Sequence, residues 1–275
     1  MNSKQLTLAD PLKYEYSGYI RDQLAGQKVS HVTLTIGKHI QLVEELNYIL
    51  AKYYSYTRTL VPDYQVEIDI LFHRKSATDN GHDQVQDLGE KVDGGSPLPL
   101  NKDSFLSEQK SSSPHTYSVG AVGGTFDHLH DGHKILLSLA IYVSYTYLII
   151  GITGAELLKN KKYSEVLESF EVRMNRVINF IERLKIPINY QIYEINDICG
   201  PTGFVKDINT LIVSGESIKG GDYVNKYREQ KGFPQLDVIA IKVIGSENAD
   251  VSNSWQGKLS STDIRKAEYK KKYGN

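Results

Sequence analysis

The sequence predicts an α/β protein in two units, a small N-terminal one and a larger doubly wound parallel sheet, joined by a disordered linker. Three observations predict it. Strand-like apolar runs alternate with helix-period segments from residue 117 onward. A shorter stretch of the same kind occupies residues 5–74. Between them, residues 75–116 hold seven Ser, four Gly, three Pro and one aromatic residue, Phe105, in a chain with 19 Tyr. Such a stretch cannot bury enough apolar surface to offset its ordering entropy, and a structureless loop of that length is foreign to one compact domain. The expected organisation is 1–74 as a small α/β domain, 75–116 as linker and 117–275 as the doubly wound domain.

The elements follow in chain order. In the N-terminal unit, HVTLTIG (31–37) and QVEIDILF (65–72) are strands, and Ile40, Val43, Leu46, Ile49 and Leu50 recur at near-helical spacing between them. His31, His39 and His73 are scattered there without a chemical pattern. In the second unit, strands are expected at 117–122, 147–152, 189–195, 210–214 and 238–244. Helices are expected at 133–144, 168–184 and 222–230, with another opening near Thr262. Phe170, Met174, Val177, Ile181 and Leu184 would line the buried face of the second of these helices. Repeated β-α-β units with apolar strands imply a parallel sheet, and such sheets bind ligands at the carboxyl ends of their strands.

Composition narrows the function. Lys and Arg total 32 against 33 Asp and Glu, a net charge of −1, which argues against a broadly basic nucleic-acid or membrane-surface protein. The single cysteine, Cys199, allows neither a disulfide framework nor a cysteine-based zinc site and suits a reducing compartment. No leader-like segment opens the chain and no run approaches ~18 apolar residues, so a cytoplasmic protein is expected. Lys270–Lys272 is a solvated helix end.

One segment carries chemistry: Val119-Gly-Ala-Val-Gly-Gly-Thr-Phe-Asp-His-Leu-His-Asp-Gly-His-Lys134. It is a strand, a glycine-bearing turn, a loop with three histidines and a helix. It is neither a Walker A loop nor a dinucleotide fingerprint. Glycines allow a ligand close to the backbone, and a helix N-terminus presents N–H groups to an anion. His130 and His133 lie three apart at that helix start and can donate to phosphate oxygens. Two other accounts stand beside this one. In one, His128, His130 and His133 with Asp127 and Asp131 ligate zinc; in the other, the histidines simply cap and pack a turn.

His130-x-Gly132-His133 after Gly124-Thr125-Phe126-Asp127 resembles the first signature of the HxGH/TxGH nucleotidyltransferase superfamily. Lys258-Leu-Ser-Ser-Thr-Asp-Ile-Arg265 resembles its second, an Ile-Ser-Ser/Thr-type motif. GGTFDHLHDGHKILLSLA, Gly151-Ile152-Thr153, Asn160-Lys161-Lys162-Tyr163, Asp197–Gly203 and Val213–Glu216 are similar to the eukaryotic phosphopantetheine adenylyltransferases, the monofunctional fungal branch above all. The resemblance spans about 117–269 and leaves out the N-terminal unit and linker. It implies a Rossmann-like nucleotidyltransferase fold. It also implies adenylyl transfer from ATP to phosphopantetheine, giving dephospho-coenzyme A and pyrophosphate in coenzyme A biosynthesis. No P-loop is present, so the kinase domain that follows in animal members is not expected.

By that resemblance His133 contacts the ATP phosphates with His130 beside it, and Gly124, Thr125 and Phe126 lie where the backbone meets substrate. Thr125, with Lys161 or Lys162, would contact phosphopantetheine, and Lys161 joins the two histidines as a catalytic candidate. Gly215, Glu216, Ser217 and Asn225 would contact the nucleotide, and Ser260, Ser261 and Thr262 the β- and γ-phosphates. The resemblance also implies Mg²⁺ carried with ATP, and no metal ligands in the protein. Bacterial members have an arginine where this chain has Ser214; Lys219 and Arg228 are the candidates to replace it. Arg265 would add to the phosphate field. Cytidylyl transfer within the superfamily, or a scaffold role in a coenzyme A-synthesising complex with other enzymes of that pathway bound through the N-terminal domain, are the alternatives.

Overall fold

A computed structural model of the chain describes residues 2–74, 95–97, 117–241 and 260–274. The expected linker, 75–116, lies outside the described residues apart from 95–97, as do Lys258 and Leu259 of the second motif. By internal contacts the chain divides into two compact units, Met1–His115 and Thr116–Asn275.

In the first unit β1 (Ser3–Leu8), β3 (His31–Ile36) and β4 (Glu67–Leu71) form a parallel sheet in the order β1-β3-β4. The crossovers are α1 (Ser17–Leu24) and α2 (Val43–Leu60), which pack on each other. Leu6, Leu8, Val32, Leu34, Ile36, Ile68 and Ile70 are all buried, the alternation expected when one face of each strand meets the helices. β1 escaped sequence reading because Ser-Lys-Gln-Leu-Thr-Leu buries only its two leucines. The α2 helix runs ten residues beyond the expected apolar spacing, and Tyr53, Tyr54, Thr57 and Arg58 extend its buried stripe. Within the expected linker, Ser96–Pro97 (β5) pairs antiparallel with Tyr14–Glu15 (β2).

The second unit holds β6 (Tyr117–Gly124), α3 (Asp131–Val143), β7 (Ser144–Thr153), α4 (Phe170–Leu184), β8 (Asn189–Ile195), β9 (Thr210–Ser214), α5 (Ile218–Gln230), β10 (Asp237–Ile241) and α6 (Ser261–Tyr273). Its five described strands are all parallel, in the order β10-β9-β6-β7-β8. That is the doubly wound arrangement: the chain builds outward from β6 in one direction, then returns to build in the other. Right-handed crossovers accordingly place α3 and α4 on one face and α5 on the other. On the α5 face, Ala121, Ile149, Leu211 and Val213 pack with Val224, Ile208 and Leu236. α3 passes into β7 without an intervening residue. Gly120 lies beneath that junction, where a Cβ would overlap Ser144 Oγ. The strand order reverses between β6 and β9, so the crevice at their carboxyl ends is the place for a ligand.

Candidate active site

The β6 strand ends at Gly124, and the chain turns through Thr125–His130 before α3 begins. Gly124 leaves little room: a Cβ there would lie 3.1 Å from the ring of Phe126, which folds back fully buried beneath it and would have to give way by a few tenths of an ångström. Two non-glycine residues of this turn, Phe126 and His128, sit in the left-handed region at φ 52° and 45°. Such strain persists only where the surroundings over-determine the backbone, and here they do. Arg173 of α4, 1% exposed, donates from Nη1 to the Thr125 carbonyl at 2.7 Å and from Nε to the Glu168 carbonyl at 3.1 Å. The His128 N–H donates to Glu168 Oε2 at 2.8 Å, and the Glu168 N–H donates to Asp127 Oδ1 at 2.9 Å. Sequence reading chose Met174 for the buried face of α4; Arg173 is the side chain buried there instead.

His130 is the N-cap of α3, and its ring stacks on that of His133 with centroids 3.8 Å apart and planes 21° from parallel. The His133 ring also meets Phe126 at 5.4 Å. Burial pushes the His130 imidazole down to about 4 against the opposing pull of Asp131 and Asp127. Burial likewise holds His133 well below its ordinary value, helped by His130, His128 and the Lys161 ammonium. Both rings are therefore uncharged at neutral pH, each with one N–H to give. Both Nδ1 atoms are buried without a hydrogen-bond partner. The zinc arrangement is not formed: His128 Nε2 lies 3.0 Å from the Val166 carbonyl, and no group of three or more His, Cys, Asp or Glu is gathered for a metal among the described residues.

The segment after β7 brings Lys161 and Lys162 to the same edge of the sheet. Both side chains are exposed, and Lys161 is the one whose charge acts on His133. Lys162 contributes its carbonyl, which accepts from Arg265 Nε at 2.9 Å. After β9, Gly215–Ser217 form an exposed 3-10 turn at the edge of the crevice, with the Ser214 and Ser217 hydroxyls 3.1 Å apart.

The second motif divides its hydroxyls among three tasks. Ser260 caps α6 in a capping box, accepting from the Asp263 N–H while its own N–H donates to Asp263 Oδ2. Ser261 Oγ donates to the Asp127 carbonyl at 2.8 Å, and exposed Thr262 accepts from Arg265 Nη2 at 3.2 Å. Arg265 departs from expectation. It is 2% exposed, and its guanidinium is neutralised by the fully buried Asp127 carboxylate rather than turned toward a phosphate site.

Two other expectations are corrected. Asn225 is not available to a nucleotide: its amide donates to the Leu236 carbonyl at 2.9 Å and accepts from the Leu236 N–H at 2.8 Å, at the entry to β10 and away from the carboxyl ends. Arg228 cannot replace the arginine missing at Ser214. It is fully buried and donates to the carbonyls of Pro234, Thr202, Val205, Lys206 and Ile208. Lys219 stays exposed at the start of α5, on the crevice side. Sequence reasoning missed Arg173 and gave Asp127 only a metal-ligand role. The signal for Arg173 was an arginine at the i−4 position to Val177 on an otherwise apolar stripe.

A cytidylyltransferase-like family model matches residues 121–267, over half of the chain. The chain is 46% identical over 150 residues to a phosphopantetheine adenylyltransferase of Saccharomyces cerevisiae, covering 54% of this chain and 48% of that protein. It is 37% identical over 149 residues to one from Thermococcus gammatolerans, covering 54% of this chain and 88% of the relative. For Pyrococcus furiosus the identity is 42% over 130 residues, with 47% and 80% covered. The chain spans about half the length of the yeast relative and most of the archaeal ones. The stacked histidines at the switch point, held between a glycine turn and a Ser-Ser-Thr helix start, thus lie inside the matched region, and the chain belongs to the cytidylyltransferase-like family.

Proposed function

We propose that the chain transfers the adenylyl group of ATP to phosphopantetheine, forming dephospho-coenzyme A and pyrophosphate, in coenzyme A biosynthesis. The observation that carries this reading is the stacked, uncharged His130–His133 pair at the switch point with Lys161 beside it. The identity to named phosphopantetheine adenylyltransferases supports it.

A phosphate oxygen of phosphopantetheine attacks the α-phosphorus of ATP as the bond to the bridging oxygen breaks, and the electron pair leaves with pyrophosphate. The nucleophile is already ionised, so neither a general base nor a covalent intermediate is needed. Rate then depends on alignment and on donors aimed at charge growing on the α-phosphate. In this reading His133 and His130 donate N–H groups to the phosphates. Lys161 holds the phosphopantetheine phosphate, with Lys162 as its neighbour and Thr125 in the turn beneath. Gly124 and Phe126 shape the turn, Gly215, Glu216 and Ser217 border the nucleoside, and Ser261 and Thr262 join the α6 N-terminus at the β- and γ-phosphates. Magnesium enters as part of the substrate, Mg–ATP, whose phosphates offer the hard oxygen ligands it prefers. The same reading puts the protein in the cytoplasm and gives its N-terminal unit to contacts with other coenzyme A-synthesising enzymes.

The test is a substrate panel. Purified protein with Mg²⁺ should release pyrophosphate and form dephospho-coenzyme A from ATP and phosphopantetheine. Faster turnover of CTP with phosphocholine would favour cytidylyl transfer, and no turnover of any pair would favour a scaffold.

A further inference from the structure

We infer that Arg265 is a positioning residue for this reaction: through its buried pair with Asp127 it locks the glycine turn, the Lys161–Lys162 segment and the start of α6 into one arrangement. The inference rests on the proposed adenylyl transfer, which uses all three segments.

One planar guanidinium faces three ways. Nη1 donates to Asp127 Oδ2 in the turn, Nε donates to the Lys162 carbonyl after β7, and Nη2 donates to Thr262 Oγ1 in α6. These partners lie 138, 103 and 3 residues away along the chain. Asp127 answers from its other oxygen by accepting from the Glu168 N–H, and from its carbonyl by accepting from Ser261. The turn so held contains the two left-handed residues, Phe126 and His128, and Phe126 supports the His133 ring. Phe126 is a bulky side chain in a region such residues rarely adopt, so the turn needs to be held from outside. The restraint comes from α6 and α4. A lysine at 265 preserves charge but not the fork, because an ammonium cannot reach three acceptors in one plane.

This arrangement has a consequence that simple packing lacks. The α6 start and the lysine segment would meet ATP and phosphopantetheine respectively, so a fault at residue 265 misaligns both substrates. A phosphate-contacting arginine would disturb ATP alone. A purely structural pair would disturb neither once the protein is folded.

Arg265→Lys, Asp127→Asn and Asp127→Asn with Arg265→Lys are compared by melting temperature, steady-state kinetics for both substrates, and amide hydrogen exchange without substrate. Positioning predicts that Arg265→Lys lowers kcat at least tenfold, with both KM values moving within threefold of each other. It also predicts that the double variant is no worse than the poorer single one. Exchange at residues 125–128 and 161–162 should quicken at least tenfold. Normal kcat and normal exchange in Arg265→Lys overturn the inference, as does a rise confined to the KM for ATP with Asp127→Asn unaffected. If Asp127→Asn does not fold, the conservative Arg265→Lys carries the test alone. If the wild-type protein makes no dephospho-coenzyme A, the functional reading fails, and exchange still decides whether residue 265 fixes the three segments.

Discussion

Replacing His133 by alanine separates chemistry from packing, because the structure assigns different sizes to the two losses. His133 has no hydrogen bond through Nδ1 and two ring contacts, one to His130 and one to Phe126. Ring pairs contribute ~0.5–1.5 kcal/mol each, and removing a buried unpartnered nitrogen gives part of that back. The net cost to stability is about 1 kcal/mol, or ~2–4 °C in melting temperature for a unit of this size. A donor aimed at charge that grows in the transition state is worth far more, ~10²–10³-fold in kcat. His133→Ala should therefore melt within a few degrees of wild type while pyrophosphate release at saturating substrates falls by that factor. Scanning fluorimetry and a coupled pyrophosphate assay on one preparation read both quantities. A large fall in melting temperature with near-normal turnover in the folded fraction would refute the assignment and leave His133 as packing.

Two further outcomes follow from the same geometry. Ser261→Ala with Thr262→Ala removes hydrogen bonds to the Asp127 carbonyl and to Arg265 but spares the Ser260 cap. Stability should fall by about 1–2 kcal/mol, and the KM for ATP should rise more than that for phosphopantetheine; an unchanged ATP KM would place the β- and γ-phosphates elsewhere. The second outcome concerns pH. The unfolded chain protonates both histidines near pH 6.5, whereas in the fold His130 stays neutral to about 4 and burial holds His133 well below its ordinary value. The unfolded state thus binds more protons below 6.5, and stability falls on acidification by about 1.4 kcal/mol per pH unit for each histidine. Chemical denaturation between pH 7 and 4.5 should show this slope, and His130→Ala with His133→Ala should flatten it. An unchanged slope in that double variant would mean that the rings are charged in the fold.

The strands of the second unit were legible because their apolar runs are bounded by turns, and 189–195 and 210–214 coincide with β8 and β9. The first motif was equally plain, since Gly124, His130 and His133 are set by spacing along one strand-turn-helix. What stayed hidden depends on distance in sequence. Arg265 and Asp127 are 138 residues apart, so nothing local says that one neutralises the other. Arg228 and Asn225 looked like ligand groups because a polar side chain on a helix reveals its type but not its partner. Five carbonyls from two loops surround the first, and the backbone of Leu236 takes the second. Polar residues that fold back onto backbone leave no periodic trace, whereas apolar ones do.

The direct passage of α3 into β7 sets a rule about length. With no residue between Val143 and Ser144, and Gly120 allowing the junction to press against β6, the helix is clamped at its C-terminal end. His130 and His133 stand at the other end, so their bearing is fixed by counting residues back from the clamp. One residue inserted into α3 would swing the pair by ~100° about the axis and lift it by ~1.5 Å, off the strand ends. Seven would restore the direction yet carry the rings ~10 Å too far. Members of such a fold are therefore bound to the number of residues in this helix, and since Lys134–Ile141 and Val143 are all buried its sequence has little freedom either. Gains and losses of chain belong in the segment after β8, where no helix phase is counted and no site residue is placed.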